Sequence, residues 1–221
     1  MSASAEPFWL VNVPPDQRPS ECPDFLVNAN AKDRGILSTP DDQYHVLSWP
    51  EVQHIIRTNR IDLFQRVPTD LRRYLAYTWK LKKEYGSVMA FVLQERLGWA
   101  DLIPNDPTPF GDLSDIKILY NDWPYGIDLK IVHLVVWVKF ELEDDPVTDD
   151  LTSEAREQID DYVQRTFCTR VDPQHVIWFK NWKSLKSIHA AEHFHVMLYD
   201  PDPGFVRDIT NNDVPLSEKV Q

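Results

Sequence analysis

Two histidines spaced two residues apart, His193 and His195, are the groups in this chain best suited to chemistry. Read as a strand from about Glu192 to Tyr199, the segment sends His193, His195, Met197 and Tyr199 to one face. Phe194, Val196 and Leu198 go to the other. Near neutral pH one imidazole can act as nucleophile or base while a second orients it or shares a metal. His195 is the candidate nucleophile and His193 its orienting neighbour. His133, on the mixed face of another long strand, is a candidate ligand contact. So are Asn181, Trp182, Lys183 and Ser187 in the connection before the pair, where small polar groups and a cation suit an anion. That connection has no glycine-rich phosphate cradle. A rival reading uses His189-Ala-Ala-Glu192-His193 as an H-x-x-E-H metal motif, which on a helix would put His189 and His193 one turn apart. The alternation after Glu192 speaks against a helix there. No cofactor is therefore expected, with a divalent metal at His189, Glu192 and His193 as the alternative.

The elements that must position these groups are strands and one helix. Ile116–Asn121 reads as a strand, Asp122–Gly126 as a turn, and Ile131–Leu142 as the strongest strand of the chain. In that strand Val132, Leu134, Val136, Val138, Phe140 and Leu142 form an apolar face, opposite Ile131, His133, Val135, Trp137, Lys139 and Glu141. A helix follows over about Ser153–Phe167, then strands over His175–Trp182 and Glu192–Tyr199. Upstream, Ser48 with Glu51 reads as a capping box and Pro50 fits a first turn. Further helices start near Pro68 and Ser87, ending at Gly86 and Gly98. The expected organisation is an extended N-terminal arm over 1–47, a helical region over 48–99, an α+β core over 116–200 and a tail over 201–221. The fold class is α+β, with the helical N-terminal region packed on a mostly antiparallel sheet.

Composition narrows the partners. Thirty-five acidic residues against 23 basic ones leave a net charge of -12, which disfavours nucleic acid and anionic membranes. A local cluster can still reverse that field for a small anion. The basic run Arg72, Arg73, Lys80, Lys82 and Lys83 reads as a solvated helix face, with phosphate steering as the alternative. Two distant cysteines, Cys22 and Cys168, make no disulfide framework, and no secretory signal or membrane-length apolar run is visible. A cytoplasmic protein, with nuclear access as an addition, is the expectation. Lys139 and Lys180 are further candidates to neutralise phosphate. Trp123, Trp137 and Trp178 read as core before ring-stacking groups, and Asp122 as a turn residue before a catalytic carboxylate.

The order LYNDWPYGI, HLVVWVKF, helix, VIWFKNW and SIHAAEHFHV is similar to the histidine-triad superfamily, which includes galactose-phosphate uridylyltransferases and diadenosine tetraphosphate phosphorylases. That resemblance implies a histidine-triad-like strand-strand-helix-strand-strand unit with Asn181 near the phosphates of a nucleotide. It implies His193 as first histidine and attack by His195 on an α-phosphorus, giving a nucleotidyl-histidine. Met197 stands where that superfamily has His or Gln, and Lys183–Ser187 replaces its glycine-rich turn. The longer phrases ILYNDWPYGI, IVHLVVWVKFELE and VIWFKNWKSLKSIHAAEHFHVML resemble a fungal family of unknown-function domains whose named member is an N-acetylglucosamine-induced protein. This implies a link to amino-sugar metabolism or response. Together the readings point to a protein that binds a phosphorylated sugar, nucleotide or nucleotide sugar. If it is an enzyme, it is a nucleotidyl transferase or hydrolase. The alternatives are a non-catalytic regulatory or interaction protein of the same fold and a metal-dependent hydrolase.

Overall fold

The most β-branched and aromatic stretches of the chain become its strands, as their side chains pack best on a pleated surface. A computed structural model describes residues 6–148, 150–181 and 191–220. Among these residues β1 (Ile116–Tyr120), β2 (Ile131–Val138), β3 (Val176–Phe179) and β4 (Glu192–Tyr199) form one sheet in the order β1-β2-β4-β3, with every neighbouring pair antiparallel. Ahead of the sheet come α1 (Asp24–Val27), α2 (Ala31–Leu37), α3 (Trp49–Arg57), α4 (Pro68–Tyr85) and α5 (Val88–Phe91). Helix α6 (Ser153–Thr166) connects β2 to β3, and α7 (Pro203–Ile209) and α8 (Leu216–Lys219) follow β4. The α+β class is as expected.

Alternation sorts the two faces of the sheet. On the back, Leu134, Val136 and Val138 of β2 meet Phe194, Val196 and Leu198 of β4 under Ile159, Tyr162 and Val163 of α6. The front face is covered by the N-terminal helices in two patches. Leu81 of α4 and Phe91 of α5 pack on Leu119, Val135 and Trp137, while Val52 and Ile55 of α3 pack with Phe179 and Met197. Between these patches lie His133, His193 and His195, all buried.

Strand β2 stops at Val138 rather than reaching Leu142. Its partners run out there: β1 begins opposite Val138 at Ile116, and β4 begins opposite it at Glu192. Phe140 and Leu142 still enter the back core beyond the ladder. The third strand starts one residue later than expected, because Pro173–His175 forms a 3-10 turn before it, and it ends at Phe179.

The helix signals work as local chemistry demands. Ser48 and Glu51 form the capping box of α3, with the Ser48 amide donating to Glu51 at 2.8 Å. Pro68 opens α4, and Gly86 closes it at φ 76°, a conformation glycine adopts without steric cost. The π-helical turn Val92–Leu97 continues α5 and ends at Gly98 with φ 63°.

Both termini depart from expectation. The segment expected as an extended arm contains α1 and α2, with Asn30 capping α2 by accepting from the Asp33 amide at 2.8 Å. Leu26, fully buried, packs with Leu71 of α4. The expected tail contains α7, capped by Asp202, whose carboxylate accepts from the Phe205 amide at 2.8 Å. Phe205 and Val206 enter the back core. Asp-Pro-Gly-Phe is a helix start as much as a loop, and only the vacant apolar surface beneath it decides. The basic residues of α4 also find structural work: Arg72 donates to the Trp9 carbonyl at 2.8 Å, and Arg73 to the Ser217 and Val220 carbonyls at 2.6 and 2.7 Å. Among the described residues, no helix is long and apolar enough to cross a membrane.

Phe194 is completely buried between β4 and α6. Phe194→Ala is therefore expected to cost about 3–5 kcal/mol of stability, read as a lowered urea midpoint. A cost below about 1 kcal/mol would contradict a rigidly packed back core.

Candidate functional site

The site begins with a register. His133 of β2 stands opposite Met197, and Val135 stands opposite His195. His133 and His195 are thus diagonal neighbours on the front face, within reach of ring-bearing side chains. Their rings meet, with His133 Nε2 3.0 Å from His195 Nδ1. The other nitrogen of His195, Nε2, lies 3.1 Å from Nδ2 of Asn181, just past the end of β3. Phe179 of β3, opposite His195, stacks on its ring at a centroid distance of 4.7 Å and an interplanar angle of 11°.

The chain of polar contacts continues past His133. Asn121 accepts from the Trp123 amide at 3.1 Å through Oδ1, which leaves its Nδ2 as a donor. That nitrogen lies 3.2 and 3.3 Å from the two ring nitrogens of His133. The result is one connected line, Asn121–His133–His195–Asn181, in which buried side chains satisfy one another.

His193 has a different place. It projects from the same face, but its ring lies edge-on to His195 at a centroid distance of 5.7 Å. Its Nδ1 donates to the Ala191 carbonyl at 3.0 Å, and its ring lies on Trp137 at 4.5 Å. The imidazole that orients His195 is therefore His133, not His193. Cross-strand register decides this, whereas adjacency in sequence suggested the reverse.

A half-open cavity of about 110 Å³ lies in front of the network. That is room for several waters at about 10–15 Å³ each. Its wall includes Tyr74 and Tyr77 of α4, Asn121, Trp123 and Tyr125 of the β1–β2 loop, and Trp137, His193 and His195 of the sheet. Arg66 and Arg96 also line it. Arg96 is neutralised: it donates to Asp122 at 2.9 Å and to both oxygens of Asp213 at 2.8 Å. Asp122 also accepts from the Leu216 amide at 3.0 Å, so it ties the C-terminal segment to the cavity rim. Burial raises the Asp122 carboxyl above its ordinary range, against the pull of Arg96. Its role here is an ion-pair anchor, a larger one than a turn residue has.

The imidazoles are held neutral. Burial, with the nearby Arg66 charge adding to it, pushes His133 down to about 3. Burial also drives His195 well below 6.5, assisted by His133, His193 and Arg66. Neutral rings present one donor and one acceptor each, which lets His133 and His195 pair with each other and with Asn121 and Asn181.

Some expected residues do not join the site. Glu192 points to the back face, where its carboxylate is 3.4 Å from Lys180. Strand alternation thus separates Glu192 from His193, and the metal alternative loses two of its members to opposite faces. Among the described residues no group of three or more His, Cys, Asp or Glu could hold a metal ion. Lys180 is buried against Asp144 and the Leu142 carbonyl, and Lys139 faces Asp115 at 3.8 Å, so neither reaches the cavity wall. Trp178 lies on the back, donating to Asp160 at 2.7 Å. Trp182, Lys183, Ser187 and His189 lie outside the described residues. Arg66, Asn121 and Tyr125 were not anticipated. Asn121 ends what reads as a strand, Tyr125 sits in what reads as a turn, and Arg66 precedes α4 without any periodic pattern.

Comparison with known proteins agrees with this geometry at the level of fold. The family described as protein of unknown function DUF3605 matches residues 48–199, which hold the sheet and the network. N-acetylglucosamine-induced protein 1 of Candida albicans is 27% identical over 183 residues, covering 73% of this chain and 72% of that protein. An uncharacterised protein of Saccharomyces cerevisiae is 26% identical over 172 residues, covering 75% of this chain and 85% of its own. The crystal structure of HTC1 superposes with a TM-score of 0.61 at 24% identity, covering 76% of this chain and 98% of that one.

Depressed imidazoles make stability depend on pH. The unfolded chain binds protons near pH 6.5 while the folded one does not, so stability is full above that value and falls as pH drops toward the folded value of about 3 for His133. Unfolding free energies from urea melts between pH 7 and 5, before most carboxylates titrate, should fall by up to about 1.4 kcal/mol per pH unit for each buried ring. A flat profile that is unchanged in His133→Gln would contradict neutral burial.

Proposed function

The chain belongs to the DUF3605 family of proteins of unknown function, and we propose that it binds a small sugar-derived or nucleotide-derived metabolite in the cavity before the His133–His195 pair. The observation that carries this reading is that His195 and Asn121 face an aromatic-walled cavity, with His195 fixed by His133 and Asn181, which do not themselves line it. Aromatic faces accept a sugar ring or a base, and a few fixed polar groups set its orientation. The volume favours a compact group, such as a monosaccharide or its phosphate, over a whole nucleotide sugar. The Candida albicans relative is named for induction by N-acetylglucosamine, and amino sugars are accordingly the first probes.

Binding is preferred to group transfer for a chemical reason. Both nitrogens of His195 are engaged, Nδ1 with His133 and Nε2 with Asn181, and burial lowers its basicity. One observation favours the transfer reading as the alternative: His133 holds His195 in a single orientation, as an orienting group holds a nucleophile. In that reading His195 Nε2 attacks the α-phosphorus of a nucleotide sugar in the manner the histidine-triad resemblance implies, forming a P–N bond as the bridging P–O bond breaks and the sugar phosphate leaves, and His133 takes the orienting role. Asn181 would then have to release Nε2 when substrate enters.

Calorimetry with purified protein and N-acetylglucosamine, its 6-phosphate and UDP-N-acetylglucosamine tests both. Binding that weakens about tenfold or more in His195→Ala and Asn121→Ala, without turnover, is the expected result. No binding of any probe would remove the reading. A phosphorus–nitrogen adduct on His195, seen by mass spectrometry after mixing with the nucleotide sugar, would favour transfer.

A further inference from the structure

The two arginines on the cavity wall differ in a way that bears on what the cavity holds. Arg96 is bound by two carboxylates, Asp122 and Asp213. Arg66 makes no salt bridge among the described residues, in a chain whose net charge is -12. It is also held in place. Its Nε donates to the Trp123 carbonyl at 2.9 Å, and its guanidinium lies 4.1 Å from the Tyr74 ring centroid and 5.6 Å from that of Tyr125. A guanidinium fixed through Nε and packed on aromatic faces keeps its two terminal nitrogens as a rigid fork, the geometry that recognises a carboxylate or phosphoryl group by paired hydrogen bonds. Leaving a half-buried cation without a counter-ion costs free energy. Asp33 is near enough for its carboxyl to feel the Arg66 charge, but no carboxylate stands within salt-bridge distance of Arg66 among the described residues, so its terminal nitrogens face the cavity with room for a ligand's anion.

We propose that Arg66 is the anion anchor of the cavity and that the ligand class is a phosphate monoester of a compact ring, with the phosphoryl group on Arg66. This rests on the binding reading above and adds to it the charge of the ligand and the residue that selects for it. The neutral histidines fit that division of labour. Where they reach the wall they keep it polar without charging it, and Arg66 supplies the charge.

The test compares inorganic phosphate, neutral N-acetylglucosamine and N-acetylglucosamine 6-phosphate on the wild-type chain, Arg66→Met and Arg66→Lys, by calorimetry and by thermal melting. In the wild type the sugar phosphate should bind at least about tenfold more tightly than the neutral sugar, and inorganic phosphate should raise the melting temperature. Arg66→Met should lose both effects. Arg66→Lys, which keeps the charge without the fork, should retain part of the preference, and it decides the matter if Arg66→Met does not fold. An anion preference that survives in Arg66→Met, or in Arg66→Lys at full strength, overturns the assignment. A wild type that binds the neutral sugar with no preference for the phosphate overturns it while sparing the binding reading. Phosphate stabilisation lost in Arg66→Met, without any sugar binding, upholds the anchor and removes the sugar. No response to any probe removes both.

Discussion

The antiparallel ladder between β2 and β4 is the constraint on which the site depends. It pairs His133 with Met197 and Val135 with His195, and so sets two imidazoles diagonally across one face. A slip of one residue would send His195 into the hydrocarbon of the back core and Phe194 toward the cavity. The register is held because the opposite face is sealed: Phe194, Val196 and Leu198 have no solvent-facing alternative once α6 covers them. Val136 stands opposite Phe194 and Leu134 opposite Val196, and all four are fully buried. Apolar burial on one side of the sheet thereby fixes polar geometry on the other.

Covering the front face has an electrostatic consequence. The helices that close over the sheet bury His133 and His195, and burial pushes both rings toward the neutral form. A buried neutral imidazole is tolerated only when its nitrogens find partners, and Asn121 and Asn181 provide them from two different connections. The amide of Trp123 fixes Asn121 in turn. The loop after β1, with its proline and aromatic residues, therefore acts as a scaffold for the network as well as a wall of the cavity.

Charge is distributed with similar economy. The Arg96–Asp122–Asp213 cluster joins the π-helical turn, the end of β1 and the segment after α7, and Arg73 grips the carbonyls near α8. These contacts bring the C-terminus across to the cavity rim, where Leu216 forms part of the wall. Arg66 stands apart from that web, stacked on tyrosine and open toward the cavity.

Period-two alternation in residues 131–138 and 192–199, the capping box at Ser48 and Glu51, and the glycine stops at 86 and 98 are local properties, written in neighbouring residues and legible without coordinates. From them follow the α+β class, the apolar back and the histidine-bearing front. The partner of His195 was not legible, because the choice between His193 and His133 depends on which strands pair and in what register. Nor were Arg66 and Tyr125, which sit in irregular segments where no period marks a direction, nor Asn121 at a strand end. The short helices of the two termini form because apolar surface elsewhere in the fold awaits Leu26 and Phe205. Local chemistry thus determined what each segment could become. Long-range packing decided which side chains meet, since contact between residues 62 positions apart is a property of the closed sheet and of no shorter stretch of chain.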